Sequence, residues 1–246
     1  MHNPSVNREV EFYATCLGDA LKSRAMKSSV LLLEELGVRV HFARRQTCCG
    51  QPTLNSGYID QSIPAMKNNI EVFERSDLPI IVPAGSCAYT MKTYAKYLKD
   101  EPEWAERAEK VGARIMDLTT YIVKELGIVD VGARLAGRAV YHPSCSLTRK
   151  MKVVDEPLTL LQNVKYLELL PFEGSDTCCG FGGTFAVKMS EVSGAMVAEK
   201  VENMLDVKPD YLIGADVSCL MNIEGRFRRI GSPVKVLHIA EVLMSH

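Results

Sequence analysis

The tetrapeptide Thr-Cys-Cys-Gly occurs at residues 47–50 and again at residues 177–180, and the cysteines around it repeat in the same order. The eight cysteines form two series, which are Cys16, Cys48, Cys49 and Cys87, then Cys145, Cys178, Cys179 and Cys219. Each member of the second series lies 129 to 132 positions after its counterpart in the first. Cysteines scattered through a core would not keep both this order and these neighbours, so the sequence indicates one unit that occurs twice.

Strands and helices are predicted to alternate in each half of the chain. The predicted strands are 10–14, 38–42 and 79–82, then 138–141, 166–170 and 211–214. Stretches with apolar residues at helical spacing separate them, at 17–36 and 59–75, then at 146–161 and 190–205. Segments 101–112 and 117–126 are also predicted helices, 127–137 a linker, and 234–239 a closing strand without an evident counterpart. The expected repeats are residues 1–127 and 128–246.

This alternation predicts an α/β fold of two pseudo-repeats, each a mainly parallel β-sheet flanked by helices. In open parallel sheets, binding sites gather outside the carboxyl ends of the strands. Every cysteine position follows a predicted strand, so the cysteine loops of one repeat should converge at one edge of its sheet. The sequence therefore predicts one four-cysteine site in each repeat.

Composition limits the partners and the compartment. The chain has 246 residues, with 29 basic and 30 acidic side chains and a formal charge of −1, so no overall field favours a nucleic acid partner. The first fifteen residues lack the basic start and apolar block of a secretory signal, and no apolar run has the length of a membrane span. A cytoplasmic protein is expected. Because the cytosol keeps thiols reduced, the cysteines indicate metal or redox chemistry rather than structural disulfides.

Four thiolates, two of them adjacent in sequence, suit an iron–sulfur cluster or a soft metal ion. Zinc sites usually take cysteines in Cys-x2–4-Cys pairs, which neither half contains. Gly50 and Gly180 permit the turn that an adjacent pair needs, because glycine tolerates positive φ. A cluster is favoured, since neighbouring thiolates can bind different irons. Zinc and thiol–disulfide exchange remain open alternatives.

The pattern resembles the cysteine-rich CCG-domain family, whose motif is a cysteine, a spacer, Cys-Cys-Gly, a second spacer and Cys-x-x-Cys. Both halves match, over nearly the whole chain. The chain departs from the motif at its end, because Ala84 and Asp216 stand where the first cysteine of Cys-x-x-Cys is expected. Each site therefore keeps four cysteines, which argues against the five-cysteine noncubane cluster of some relatives. Four ligands still satisfy up to two ordinary [4Fe–4S] clusters, or zinc.

The runs FYATCLGDA at 12–20, TCCGQP at 47–52 and TCCGFGGTFAVKMSE at 177–191 look most like the members of this family that act in lactate utilisation. That resemblance implies an electron-transfer component of a multi-protein system that oxidises L-lactate to pyruvate, with other iron–sulfur subunits as partners. An oxidoreductase subunit is expected rather than a substrate-binding enzyme, and no catalytic residue is predicted. A heterodisulfide-type thiol–disulfide reductase subunit and a zinc-stabilised scaffold are the alternatives.

His142 lies three residues before Cys145, close enough in sequence to hydrogen-bond a cluster sulfur or to act in proton transfer. Its counterpart in the first half is Tyr13 or Ala14, which excludes a role common to both sites. A purely local structural role is the default expectation for this histidine.

Overall fold

The computed structural model describes residues 8–246, and the expectation about a secretory signal falls partly on residues outside this range. Within it, the strands are β1 (Glu9–Phe12), β2 (Arg39–Phe42), β3 (Ile80–Val82), β4 (Ile115–Asp117), β5 (Arg134–His142), β6 (Lys165–Leu169), β7 (Tyr211–Gly214) and β8 (Lys235–His238). They form two four-stranded sheets in the orders β2-β1-β3-β4 and β6-β5-β7-β8. Neighbouring strands are parallel in both sheets, which confirms the α/β class and the two-repeat architecture.

Helices connect the strands in both repeats. In the first, they are α1 (Cys16–Leu21), α2 (Ser23–Glu35), α3 (Gln51–Leu54), α4 (Ile59–Phe73), α5 (Gly85–Lys92), α6 (Tyr94–Tyr97) and α7 (Pro102–Ala113). A short helix α8 (Leu118–Thr120) continues into a π-helical turn at Tyr121–Glu125. The second repeat has a π-helical turn at Ser146–Lys150 and helices α9 (Asp155–Gln162), α10 (Phe185–Lys188), α11 (Ser190–Asp206), α12 (Val217–Arg229) and α13 (Ile239–Leu243).

The two sheets correspond strand for strand, and at one edge the sequence pattern does not reveal this. The closing strand β8 does have a counterpart, which is β4. Strand β4 pairs in parallel with β3 and β8 with β7, and β3 and β7 each precede the last cysteine of their repeat. Strand β4 is only three residues long and ends at Asp117, the first residue of the segment predicted as an amphipathic helix. Three residues carry too little alternation to be read as a strand. The predicted linker is also shorter, because β5 begins at Arg134.

Two helices predicted as continuous are divided in the structure. The segment predicted at 17–36 separates into α1 and α2 at Lys22, whose φ of −137° and ψ of 44° lie outside the helical region. The segment predicted at 146–161 separates into a π-helical turn and α9, and Lys152 between them has a φ of +61°. Helical spacing of apolar residues persists across such breaks, so the pattern does not reveal them.

The repeats share a hydrophobic core. Leu33 of α2 and Val242 of α13 are fully buried in one cluster of residues that come from both repeats. Polar contacts join the repeats near the cysteines, where the Ser86 backbone N–H donates to Asp216 Oδ2 at 2.8 Å. His238 Nε2 lies 3.2 Å from the Pro83 carbonyl oxygen. No helix in residues 8–246 combines the length and the apolar character needed to cross a bilayer.

Candidate metal centres

The first set of cysteines comes from three loops at the carboxyl ends of β1, β2 and β3. Cys16 begins α1, whose N-cap Thr15 accepts a hydrogen bond from the Gly18 N–H through Oγ1 at 3.2 Å. The Cys16 and Cys48 sulfurs are 3.6 Å apart. Cys49 contacts both Cys48 and Cys87, and Cys87 lies in the first turn of α5. The structure thus brings all four predicted thiols of this repeat together.

The Cys48–Cys49 turn is fixed by hydrogen bonds to its backbone. Gly50 has a φ of +84°, as expected for the turn after an adjacent cysteine pair. The Asn69 side chain accepts from the Thr47 N–H at 2.9 Å and donates to the Cys48 carbonyl at 3.2 Å. The Tyr94 hydroxyl donates to the Cys49 carbonyl at 2.9 Å. These buried partners hold the two thiols in the direction of Cys16 and Cys87.

The second set is assembled in the same way. Gly180 has a φ of +81°, and its N–H donates to the Cys178 sulfur at 3.4 Å. Cys178 contacts both Cys145 and Cys179, and Cys179 contacts Cys219 of α12. The Asn222 side chain donates to the Cys179 carbonyl at 2.7 Å. All four predicted thiols of this repeat are therefore brought together as well.

Burial divides each set in a similar manner. Cys49 and Cys87 are buried, with 2% and 9% of their surface exposed, whereas Cys48 is half-buried and Cys16 exposed. In the second set, Cys179 and Cys219 are buried and the other two are half-buried. Each site is therefore closed on the protein side and reachable from the solvent side.

Contact between thiols moves their pKa values in opposite directions. Hydrogen bonds from Cys16 and Cys49 lower the pKa of Cys48 far below its usual range, and contacts with Cys145 and Cys179 do the same for Cys178. The pKa of Cys16 is raised mainly by its hydrogen bond to Cys48 and then by burial. In each set, a thiolate is thus surrounded by protonated thiols, which would release their protons when a cation binds.

We expect the metal-free, reduced chain to be alkylated by iodoacetamide faster at Cys48 than at Cys16. The lowered pKa makes Cys48 a thiolate across the range of about pH 6 to 8, so its rate should vary little with pH, whereas Cys16 should stay slow. Exposure alone predicts the reverse order, because Cys16 is the more exposed residue. Peptide mass spectrometry over time measures both rates, and faster labelling of Cys16 would contradict the assignment.

A cavity of about 230 Å³ adjoins the first set and has almost entirely apolar walls. All four thiols of the set line it, together with Phe181, Gly183 and Val187 of the second repeat. The 3.6 Å between the Cys16 and Cys48 sulfurs is close to the edge of a ZnS4 tetrahedron, about 3.8 Å for bonds of 2.3 Å. A larger iron–sulfide core requires the thiols to spread, and the cavity provides space for this. The residues present therefore fit either group.

In the second repeat, Asp216 stands where the family motif has a cysteine, and this residue has a structural role. Asp216 is buried at the N-terminus of α12, where Oδ1 accepts from the Ser218 hydroxyl at 2.6 Å and the Ser218 N–H at 3.1 Å. Its other oxygen accepts from Ser86 N–H of the first repeat. Asp216 thus caps the helix that carries Cys219 and links it to the helix that carries Cys87.

Two buried polar side chains accompany the second set. Within residues 8–246, neither ring nitrogen of His142 has a hydrogen-bond partner, yet a ring nitrogen and the Cys179 and Cys219 sulfurs all lie within 4.8 Å of one another. Burial lowers the pKa of His142 to about 3, which makes the ring neutral. Lys200 is 1% exposed and donates to the carbonyls of residues 174, 175 and 177 at 2.9 to 3.0 Å.

Lys200 was not identified from the sequence, although a signal was present. It lies on the face of α11 that also buries Ser193, Val197, Val201 and Met204, and a lysine on such a face is unusual. Burial lowers its pKa, and the nearby Cys179 and Cys219 sulfurs oppose that shift. Asn69, which supports the first cysteine turn, has no comparable signal, because a single asparagine in a helix is common.

Comparisons with known proteins agree with the duplicated site. The CCG cysteine-rich domain matches residues 10–92 and again residues 139–224. The uncharacterized protein YkgE of Escherichia coli (strain K12) is 66% identical over 236 residues, covering 96% of this chain and 99% of that protein. Lactate utilization protein A of Anoxybacillus flavithermus is 50% identical, covering 95% and 98%, and that of a Geobacillus species 49%, covering 96% and 99%.

Among solved structures, a hypothetical protein from Helicobacter pylori superposes with a TM-score of 0.69 at 13% identity. The alignment covers 98% of this chain and 49% of that chain, and at this identity it supports the fold alone. The family match is stronger, because it covers both cysteine sets, and relatives at about 50% identity span nearly the full length. The chain therefore belongs to the CCG family of cysteine-rich domains, and each of its halves matches that domain once.

Proposed function

We propose that the chain is an iron–sulfur electron-transfer component of a lactate utilisation system, with one [4Fe–4S] cluster in each repeat. In the repeat 1–127 the ligands are Cys16, Cys48, Cys49 and Cys87. In the repeat 128–246 they are Cys145, Cys178, Cys179 and Cys219. Other iron–sulfur subunits of the same cytoplasmic system are the proposed partners.

The observation that carries this proposal is the convergence of four thiols in each repeat, at equivalent strand ends and with similar burial. Thiolate sulfur is the ligand that iron–sulfur clusters prefer. The apolar cavity beside the first set offers room for an iron–sulfide core. The lactate assignment rests on the names of relatives that match nearly the full length of the chain.

Clusters of this kind supply one-electron transfer. Oxidation of lactate to pyruvate releases two electrons and two protons, so two one-electron centres in one chain can together accept the electron pair. The protein side of each site is closed by buried groups such as Cys49 and Cys179. Electrons therefore reach and leave through the half-buried side, where Cys48 and Cys178 lie.

The direct test is quantification of iron, zinc and acid-labile sulfide in full-length protein purified without exposure to oxygen. We expect about eight iron and eight sulfide per chain and no stoichiometric zinc. In anaerobic mixtures with its partner subunits and L-lactate, the chain should become reduced. Two zinc ions per chain without sulfide would contradict the cluster assignment, and a loaded chain that lactate and partners never reduce would contradict the electron-transfer role.

Zinc remains a second candidate because of one distance. The 3.6 Å separation of the Cys16 and Cys48 sulfurs matches one edge of a tetrahedral zinc site. No three sulfurs of this described set lie within 4.8 Å of one another, so the loops would have to close around a single ion. The chain would then be a zinc-stabilised scaffold for its partners. The sulfide measurement separates the two candidates, since zinc bound by four thiolates contains no inorganic sulfide.

A further inference from the structure

The two cysteine sets differ in the groups that surround them, although their thiols are arranged alike. In the second set, the Lys200 ammonium donates to the Thr177 carbonyl, immediately before the Cys178–Cys179 pair, and the His142 ring lies beside Cys179 and Cys219. We propose that the centre in the second repeat has the higher reduction potential of the two, because these two groups act on it and have no equivalents in the first repeat. This inference rests on the proposed function.

Aligning α11 of the second repeat with α4 of the first identifies the residue that corresponds to Lys200. Ser193 of α11 donates to the Gly180 carbonyl at 2.8 Å, and Ser62 of α4, 131 positions earlier, is placed against the Gly50 carbonyl at 3.5 Å. The residue 131 positions before Lys200 is Asn69. Both side chains bind the backbone before the cysteine pair, but the asparagine does so without charge.

The hydrogen bonds of Lys200 indicate that its side chain is positively charged. Its Nζ donates to three carbonyl oxygens, of residues 174, 175 and 177, and lies 3.3 Å from the Thr177 hydroxyl. Three donated bonds require three N–H groups, which only the ammonium form has. At 1% exposure this charge is poorly screened by water. A buried positive charge stabilises the added electron of a reduced cluster and so raises its potential.

His142 adds a second difference. Its counterpart 129 positions earlier is Tyr13, whose hydroxyl donates to the Thr47 carbonyl at 2.7 Å and is therefore not available to a sulfur. The His142 ring carries at least one N–H in either protonation state, and no hydrogen-bond partner for its nitrogens lies in the described part of the chain. Cysteine sulfurs are its polar neighbours. An N–H···S bond would satisfy the buried donor and raise the potential of the second centre further.

Other charged groups near the sites do not remove this difference. Asp216 lines the cavity beside the first set and also caps the helix of Cys219, so it lies near both centres. The charge of Lys150 interacts electrostatically with Cys145 of the second set. Lys150 is exposed, so water and salt screen its charge. The balance of buried charge thus favours reduction of the second centre first.

The test is an anaerobic redox titration of the loaded full-length chain, followed by electron paramagnetic resonance. Serine replacement of Cys48 and Cys49, or of Cys178 and Cys179, leaves one centre and assigns each midpoint. We expect two midpoints, with the second centre higher. Lys200→Gln and His142→Leu should each lower the second midpoint and leave the first unchanged, while His142→Gln, which keeps an N–H donor, should remain closer to the unmodified value.

Lys165→Gln is the matched control, because it removes an exposed lysine at the opposite end of β6 from the cysteine turn and should move neither midpoint. Coincident midpoints in the unmodified chain would overturn the inference without any variant. So would a second midpoint that stays in place in both Lys200→Gln and His142→Leu. Protein without iron and sulfide would instead refute the proposed function, so the two failures are distinguishable.

Discussion

A chain in which Cys48 and Cys49 are both replaced by serine is expected to retain about half of the iron and acid-labile sulfide of the unmodified chain. The change removes two of the four thiols of the first set, and the serine hydroxyl is a poor ligand for a soft iron–sulfide core. The four thiols of the second set converge in their own repeat and are untouched. Chemical analysis of iron and sulfide in anaerobically purified protein measures the effect.

The reciprocal variant, with serine at Cys178 and Cys179, is the matched control, because the same chemical change is made at the equivalent turn. It should also keep about half of the cluster content, and the chain with all four replacements should keep none. Lactate-dependent reduction in the presence of the partner subunits should fail in each variant if both centres are needed. Full iron and sulfide content in either pair variant, or complete loss in both, would contradict two separate centres.

The convergence of the cysteines was predictable because the repeat identifies both sets. An offset that stays almost constant over eight cysteines identifies both sets, and the glycine after each pair predicts the turn that the structure has at Gly50 and Gly180. The rule that sites gather at the carboxyl ends of parallel strands then places three loops together. These inferences need only the spacing of residues along the chain and the parallel topology.

What surrounds the sites depends on contacts between repeats, and no local pattern encodes those. Phe181 and Val187 of the second repeat complete the cavity beside the first set. Asp216 reaches across to the Ser86 N–H. Such features follow from how the two sheets pack, which the sequence of either half alone does not determine.

Replacing Gly85 by alanine is expected to destabilise the chain by about 1–3 kcal/mol and to lower its cluster content. Gly85 begins α5, two residues before Cys87, and packs against the π-helical turn that follows Cys145. A Cβ at this position would lie 2.7 Å from Leu147 Cβ and 2.9 Å from the Leu147 backbone Cα and N. Backbone atoms cannot rotate away as a side chain does, so the two cysteine-bearing segments must separate.

Gly225→Ala provides the matched control for this clash, since it makes the same change inside α12 where a Cβ meets nothing within 4 Å. Alanine there should stabilise the helix by about 0.5–1 kcal/mol, because glycine loses more backbone entropy on folding. Denaturant unfolding measures the stability of both variants, and iron analysis measures their cluster content. The close contact between the Cys87 helix and the Cys145 loop predicts opposite signs for the two changes in stability, and a Gly85→Ala chain that is as stable and as fully loaded as Gly225→Ala would contradict that contact.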